Sequence, residues 1–220
     1  MKPKEASWPQ YIRNGLGLKL SKLGERLHID SLTYNAVILE LFHSSGLKNA
    51  PIVVDAIREV FPEIKSAIDV GCGGGAFAAE FSRAGVRTVG LEHSPHGVKL
   101  AREQGVACLS FDVSQPLTQV SEKADLIYSF EVAEHISESL ADQFVRLMTN
   151  LGALIIFSAA QPNQGGIGHI NEQPLSYWIE KFERAKFRFR SDESEKLRHA
   201  FRHREAPDWF CNNSCVFRKV

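Results

Sequence analysis

The sequence contains no apolar run of about 18 residues, the length that a helix needs to cross a bilayer. The charged residues 1–5 are not followed by the apolar core of a signal peptide. Internal repeats and low-complexity segments are also missing. These absences predict a protein that does not insert into a membrane and that resides in the cytoplasm.

An excess of charge of either sign is missing as well. The 26 Lys and Arg residues balance the 26 Asp and Glu residues, so the formal net charge is zero. A balanced chain has no overall field that would steer it to a polyanion. The composition therefore argues against nucleic acid as a partner.

Cysteines are few and scattered, at Cys72, Cys108, Cys211 and Cys215. Cys211 and Cys215 are close in sequence, but no second close pair accompanies them, as a four-cysteine zinc site would require. We expect four free, reduced thiols, which fits a cytoplasmic protein.

Short apolar runs alternate with amphipathic stretches from about residue 66 onward. Such alternation predicts an α/β fold with a parallel sheet and right-handed crossovers. The run 153–157 is apolar throughout, as expected of a central strand that is covered on both faces. The predicted strands are 66–70, 87–91, 107–110, 125–129, 153–157, 187–189 and 214–217, and the predicted helices are 77–84, 95–103, 136–150 and 174–185.

Residues 1–49 have a different pattern. An apolar stripe with helical spacing begins at Ile12 and ends at Leu27, with basic residues elsewhere around the helix. The stripe favours a structural helix or one that caps the substrate, and a helix lying on a membrane surface is the alternative. We expect residues 1–49 to form an N-terminal helical cap on a domain of residues 50–220.

The strongest local feature is the segment Asp69-Val-Gly-Cys-Gly-Gly-Gly75 at the end of the first predicted strand. Glycines there let the backbone turn tightly and approach a ligand, directly before the N-terminus of a helix. Gly71, Gly73 and Ala76 also satisfy a relaxed dinucleotide-binding fingerprint. The loop alone therefore leaves several nucleotide cofactors open, and a purely structural turn as well.

Carboxylates around the loop distinguish between these cofactors. Asp69 precedes the loop and suits the amino group of a ligand better than a pyrophosphate. Glu92 ends the second predicted strand, where a carboxylate accepts from both hydroxyls of a ribose. Asp112 follows the third strand and would accept from an adenine amine. This arrangement favours S-adenosylmethionine over a nicotinamide dinucleotide.

In order and spacing, the glycine loop, Glu92, Asp112 and the segment 125–135 resemble the motifs of class I S-adenosylmethionine-dependent methyltransferases. The resemblance covers about residues 50–220. It implies a Rossmann-like α/β fold: a seven-stranded, mostly parallel sheet with its last strand antiparallel and with helices on both faces. The implied cofactor-binding residues are Asp69, Gly71, Gly73, Gly75, Glu92, His93, Asp112, Val113 and Phe130.

The segment Glu131-Val-Ala-Glu134-His135 follows the fourth predicted strand. As a helix, it would place Glu131, Glu134 and His135 on one face. His169 lies in the glycine-rich loop after the next strand and would meet them at the same sheet edge. These four residues predict a site for Mg, Mn or Fe(II). Without a metal, His135, His169 and Glu134 are the predicted catalytic residues, with a histidine as general base.

This segment resembles the ubiquinone-pathway O-methyltransferases, and also the metal-dependent enzymes that methylate the terminal ribose of small RNAs. The chain departs from the RNA enzymes after His169, where it reads Ile-Asn-Glu-Gln-Pro and lacks their second histidine. We therefore expect O-methylation of a small polyhydroxylated acceptor, such as a sugar. The alternatives are ribose 2′-O-methylation of RNA ends, and N- or S-methylation of a small metabolite.

Overall fold

The computed structural model describes residues 8–27, 30–116 and 120–220. Its strands are β1 Ser66–Val70, β2 Arg87–Glu92, β3 Ala107–Ser110, β4 Ala124–Phe130, β5 Gly152–Ser158, β6 Phe187–Phe189 and β7 Cys215–Lys219. They form one seven-stranded sheet in the order β3-β2-β1-β4-β5-β7-β6. The first five strands pair in parallel, whereas β7 is antiparallel to both β5 and β6.

Helices cover both faces of this sheet. They are α1 Trp8–Leu27, α2 Asp30–Thr33, α3 Ala36–Val60, α4 Ala76–Arg83, α5 Pro95–Glu103, α6 Ala141–Leu151, α7 Leu175–Arg184, α8 Ser191–His203 and α9 Asp208–Asn213. Helices α3, α4 and α8 bury one face of the sheet around Tyr128, and α6 and α7 bury the other face around Phe157. The predicted Rossmann-like α/β fold is confirmed.

Two parts of the helical prediction differ from the structure. The predicted helix at 136–150 begins only at Ala141, because Ile136 is extended and residues 138–140 form a separate 3₁₀ turn. Helices α8 and α9 were not predicted. In α8 the buried residues Leu197, Ala200 and Phe201 stand among charged side chains, which mask their helical spacing.

The leucine stripe of α1 does not face the core. Leu16, Leu23 and Leu27 are exposed. The small residues of α1 make its contacts instead: the Ser21 hydroxyl donates to the Thr33 carbonyl at 2.8 Å, and Gly24 packs against the backbone of Thr33. Within the described ranges, no helix is both long enough and apolar enough to cross a membrane.

Helix α3 joins the cap to the rest of the chain. Asn35 caps its N-terminus, since its side chain accepts hydrogen bonds from the Val37 and Ile38 amides. The expected boundary between residues 49 and 50 falls inside this one helix. Its second half, with Val53 and Ile57 fully buried, is part of the core. The division into a cap and a domain remains a prediction.

The glycines of α1 provide a test of how the cap is held. A Cβ atom on Gly24 would lie 2.4 Å from the Thr33 backbone nitrogen, whereas a Cβ atom on Gly15 would meet nothing within 4 Å. We expect Gly24→Ala to separate α1 from α2 and to speed hydrogen exchange of their amides. The matched variant Gly15→Ala should slow exchange, since alanine stabilises a helix interior by about 0.5–1 kcal/mol. Equal exchange in the two variants would contradict this packing.

Candidate functional site

The glycine loop, residues 71–75, connects β1 to α4 with left-handed backbone at three positions. Gly71, Gly73 and Gly75 have φ angles of 80°, 52° and 76°, a region that side chains disfavour. Cβ atoms on Gly71 and Gly75 would overlap Val132 and Ala101, whereas one on Gly73 would meet nothing within 4 Å. The loop is therefore packed at both ends and open in the middle, where a ligand can approach its backbone.

Glu92 holds this loop from β2. Its carboxylate accepts hydrogen bonds from the Gly73 and Ser94 amides, each at 2.7 Å. Burial raises the pKa of the Glu92 carboxyl against the effect of these bonds. Each carboxylate oxygen keeps a further lone pair. Glu92 is the residue that the sequence predicts to accept from a ribose. Its carboxylate already accepts two backbone hydrogen bonds, and the remaining lone pairs are available to a ligand.

Asp69 lies beside the glycine loop with one oxygen unpaired. The residue is only 3% exposed, and its Oδ2 atom has no protein partner. Burial is the largest cause that raises the pKa of this carboxyl well above its usual value, and the nearby Glu92 adds to it. The phenol of Tyr128, its register partner on β4, lies next to it. A buried oxygen without a partner is suited to a donor group of a ligand.

The other predicted cofactor residues lie along the same sheet edge. Asp112 Oδ1 accepts from the Ser114 amide at 2.8 Å, and Asp112 Oδ2 is 3.7 Å from His93 Nδ1. The His93 side chain is largely open to solvent, whereas Asp112 and Val113 are partly buried. Phe130 packs edge-on against Phe77 and Phe210.

A cavity of about 430 Å³ lies between the glycine loop and the end of β4. The first half of α3 forms one wall, where His43 lies against Gly74, and the loop 164–169 and Trp209 form another. Among the described residues that line it are three carboxylates and no Lys or Arg. Phe130 is on its wall, whereas Glu92, His93, Asp112 and Val113 lie outside it. The contribution of α3 was not predicted, because its apolar stripe carries no chemical motif.

Glu134, His135 and His169 converge in this cavity. Each offers one ligand atom, and these atoms all lie within 4.8 Å of one another. His169 Nε2 is 3.9 Å from Glu134 Oε1, and the two imidazole rings are 5.0 Å apart. The side chain of Glu134 is fully buried, and both of its oxygens lack a protein partner. The cluster can therefore hold a divalent cation or exchange a proton with an acceptor.

Two residues that the sequence analysis missed orient the histidines. Glu172 Oε1 lies 2.8 Å from His169 Nδ1 and also accepts from the Gly165 amide. His135 Nδ1 is 3.2 Å from the Gly168 carbonyl, which can only accept, and 3.0 Å from the Tyr34 hydroxyl. These contacts favour a proton on each Nδ1 and leave each Nε2 free for a ligand. The only sign of this contact in the sequence was the position of Glu172, three residues after His169.

Glu131 does not join the cluster. Its φ angle is 51°, which is strained for a non-glycine residue, and residues 133–135 form a 3₁₀ turn instead of the α-helical face that the sequence predicts. Its carboxylate accepts from Gln164 Nε2 at 3.0 Å and from Asn213 Nδ2 at 3.3 Å. The predicted set of four ligands is therefore reduced to three.

Parts of the chain are similar to known proteins. Residues 68–156 match the family described as a methyltransferase domain. A ubiquinone biosynthesis O-methyltransferase of Cereibacter sphaeroides (strain KD131) is 28% identical over 141 residues, which cover 60% of this chain and 54% of the relative. An uncharacterized methyltransferase of Mycobacterium sp. (strain JLS) is 34% identical over 108 residues, 47% of this chain and 42% of the relative. The chain spans about half the length of these curated relatives.

Solved structures share the fold. CalS10, an amino pentose methyltransferase from Micromonospora echinaspora, has a TM-score of 0.61 at 15% identity, with 80% of this chain and 92% of that chain covered. DesVI of Streptomyces venezuelae has a TM-score of 0.63 at 14% identity, with 82% and 96% covered. The match of residues 68–156 to a methyltransferase domain, together with the glycine loop, supports a class I S-adenosylmethionine-dependent methyltransferase, and this likeness shows that the fold is shared.

The buried cluster predicts an unusual dependence of stability on pH. Burial raises the pKa of Glu134 to about 8, and the nearby Glu131 adds to the shift. Burial lowers the pKa of His135 to about 4. Folded Glu134 keeps a proton that the unfolded chain releases near pH 4.3, so its contribution to stability is lost as pH rises towards 8. Folded His135 stays neutral where the unfolded chain binds a proton, so its contribution to stability is lost as pH falls from about 6.5 towards 4.

Between about pH 6.5 and 8, the contribution of Glu134 to stability should therefore still fall as pH rises, whereas the contribution of His135 is fully present and no longer changes. We expect the free energy of unfolding of the parent protein, with chelator present, to fall faster with pH than that of Glu134→Gln. The difference should approach about 1.4 kcal/mol per pH unit. Urea titrations at half-unit intervals measure it. Parallel pH curves would show that Glu134 is ionised in the folded protein.

Proposed function

We propose that this protein is an S-adenosylmethionine-dependent methyltransferase that O-methylates a small polyhydroxylated acceptor, such as a sugar. One observation carries the proposal: the cavity that begins at the glycine loop ends at Glu134, His135 and His169. Cofactor and acceptor would thus meet in one cavity. Holding the two in line is the largest contribution that a methyltransferase makes to rate.

The residues around the loop fit the cofactor. S-adenosylmethionine supplies a methyl group on a sulfonium sulfur. The unpaired Oδ2 of Asp69 is placed to accept from its amino group, and the open side of Gly73 admits its methionine part. Glu92 would accept from the ribose hydroxyls with its remaining lone pairs, and Asp112 from the adenine amine. Asp112 lies outside the cavity, so the adenine would lie nearer the surface.

Glu134, His135 and His169 are proposed to hold a divalent cation. The fit rests on the two unpaired oxygens of Glu134 and on the histidines, whose Nδ1 atoms are engaged by Glu172, Gly168 and Tyr34. Such outer partners orient imidazole ligands. A bound cation would lower the pKa of an acceptor hydroxyl, which is otherwise too weakly acidic to attack.

The acceptor class is supported by two further observations. Of the described cavity residues none is Lys or Arg, so no cation is placed for the phosphates of an RNA end or for an anionic acceptor. Among the similar folds are an amino pentose methyltransferase and a sugar N-methyltransferase, KedS8 from Streptoalloteichus sp ATCC 53650. The carboxyl groups that line the cavity could pair with a cationic amine, which favours N-methylation of an amino sugar as the second candidate function.

Cofactor binding tests the first part of the proposal. We expect S-adenosylmethionine and S-adenosylhomocysteine to bind and NAD not to bind, because carboxylates and not arginines surround the glycine loop. Isothermal titration with the three ligands measures this. Binding of NAD alone would refute the proposal.

Glu92→Gln tests the ribose contact. An amide offers one acceptor oxygen where the carboxylate offers two, so we expect affinity for S-adenosylhomocysteine to fall by about 1–3 kcal/mol. Glu103→Gln, on the exposed end of α5, is the matched control and should leave affinity unchanged. Equal affinities in the two folded variants would place the ribose elsewhere.

The metal proposal is tested by binding and by turnover. We expect Mn²⁺ to bind the parent protein in an electron paramagnetic resonance titration and to bind Glu134→Gln much more weakly. The exposed Glu138→Gln is the control and should bind Mn²⁺ as the parent does.

A screen of sugars and amino sugars, read by S-adenosylhomocysteine release, identifies an acceptor. Chelation should then abolish turnover, and Mg, Mn or Fe(II) should restore it. Turnover that survives chelation would instead indicate a histidine base that acts without a metal.

A further inference from the structure

Two thiols meet behind the glycine loop. The Sγ atoms of Cys72 and Cys108 are 3.7 Å apart, and both side chains are buried. Cys72 lies inside the glycine loop, between Gly71 and Gly73, whereas Cys108 lies on β3 at the edge of the sheet. The proposed methyl transfer uses neither thiol.

Gly90 makes the contact between the thiols possible. It is the register partner of Cys108 on the neighbouring strand β2. A Cβ atom on Gly90 would lie 2.6 Å from the Cys72 Sγ atom, closer than van der Waals contact allows. Any side chain at position 90 would therefore displace the Cys72 thiol. The glycine leaves a gap in β2 through which Cys72 reaches the adjacent strand.

We propose that Cys72 and Cys108 form a reversible intramolecular disulfide, with a peroxide as oxidant, and that this bond weakens cofactor binding at the glycine loop. A disulfide bond is about 2.0 Å long, so the two sulfur atoms must approach each other by about 1.7 Å. Rotation of the two side chains and a small shift of the loop can supply this movement, since the loop is open at Gly73.

Cys108 is the thiol that reacts first. The hydrogen bond from Cys72, helped by the charge of Arg102, lowers the pKa of the Cys108 thiol against the effect of burial. Its thiolate attacks one oxygen of hydrogen peroxide, the O–O bond breaks, and the leaving hydroxide is protonated to water. The Cys72 sulfur then attacks the sulfenic sulfur: the S–S bond forms, the S–O bond breaks, and the second hydroxide takes the Cys72 proton. The two thiols are oxidised by two electrons and one peroxide is reduced to two waters.

The new bond acts on the part of the loop that faces the cofactor. The Gly71 and Cys72 amides donate to the Leu91 carbonyl at 2.8 Å and 3.0 Å, and the Gly73 amide donates to Glu92. Moving Cys72 towards β3 disturbs these bonds and shifts the backbone on which the methionine part would lie. This consequence rests on the proposed function. We expect affinity for S-adenosylhomocysteine to fall about tenfold, which corresponds to about 1.4 kcal/mol.

The experiment oxidises the full chain with stoichiometric hydrogen peroxide. Peptide mapping under non-reducing conditions should find a bond between Cys72 and Cys108, and titration should show weaker binding of S-adenosylhomocysteine. Dithiothreitol should restore both. Cys108→Ser should bind the ligand as the reduced parent does and should keep that affinity after peroxide. Cys211→Ser, which alters a buried thiol away from the loop, should lose affinity on oxidation as the parent does.

The outcomes that overturn the proposal are specific. Mapping that finds Cys72 and Cys108 unbonded refutes the disulfide, and a mapped bond with unchanged affinity refutes its effect on the loop. If the reduced protein does not bind S-adenosylhomocysteine, the proposed function fails and so does the effect on affinity. The peptide map still decides whether the bond forms, so the two failures are distinguishable.

Discussion

The order of strands reverses between β1 and β4, and the site depends on this reversal. The connections after the two strands leave the sheet in opposite directions, so a crevice opens between them. The glycine loop follows β1 and the segment 131–135 follows β4, on the two sides of that crevice. The same neighbouring strands pair Asp69 with Tyr128 in register. The glycine loop and the segment 131–135 can line one cavity because these two strands are adjacent.

Buried carboxylates without partners are the second constraint on this site. Asp69 and Glu134 are both buried with unpaired oxygens, and burial raises the pKa of each. An ionised carboxylate without a partner is costly in a protein interior, so the folded chain relieves the cost by holding protons. A cationic ligand removes the same cost by pairing with the charge. Asp69 and Glu134 are therefore the carboxyl groups that a cationic ligand would stabilise most.

The N-terminal helices are coupled to the acceptor end of the cavity. The Tyr34 hydroxyl bonds to both His135 and the Gly168 carbonyl, and the Glu25 carboxylate accepts from the Gly168 amide. A Cβ atom on Gly168 would overlap Tyr34, so the loop approaches the cap closely. Movement of the cap would therefore alter the orientation of a histidine that lines the cavity.

The sequence by itself determined the elements whose signals are local. The spacing of apolar residues predicts β1, β2, β4 and β5 to within two residues, and the glycines of the loop predict the tight turn that the structure contains. Helix α8 was not predicted, because its few buried residues are separated by charged side chains and show no clear apolar spacing in the sequence. The set of cofactor-binding residues stays a prediction, which rests on their order along the chain.

Only the tertiary structure decided which side chains meet. Tyr34 contacts His135 across 101 positions, and Glu131 turns away from the cluster because its backbone is left-handed instead of helical. The thiols of Cys72 and Cys108 meet because a glycine on the strand between them leaves space. The physical reason is the same in each case: local periodicity and turn chemistry act over a few residues, whereas these contacts depend on how distant strands and helices pack.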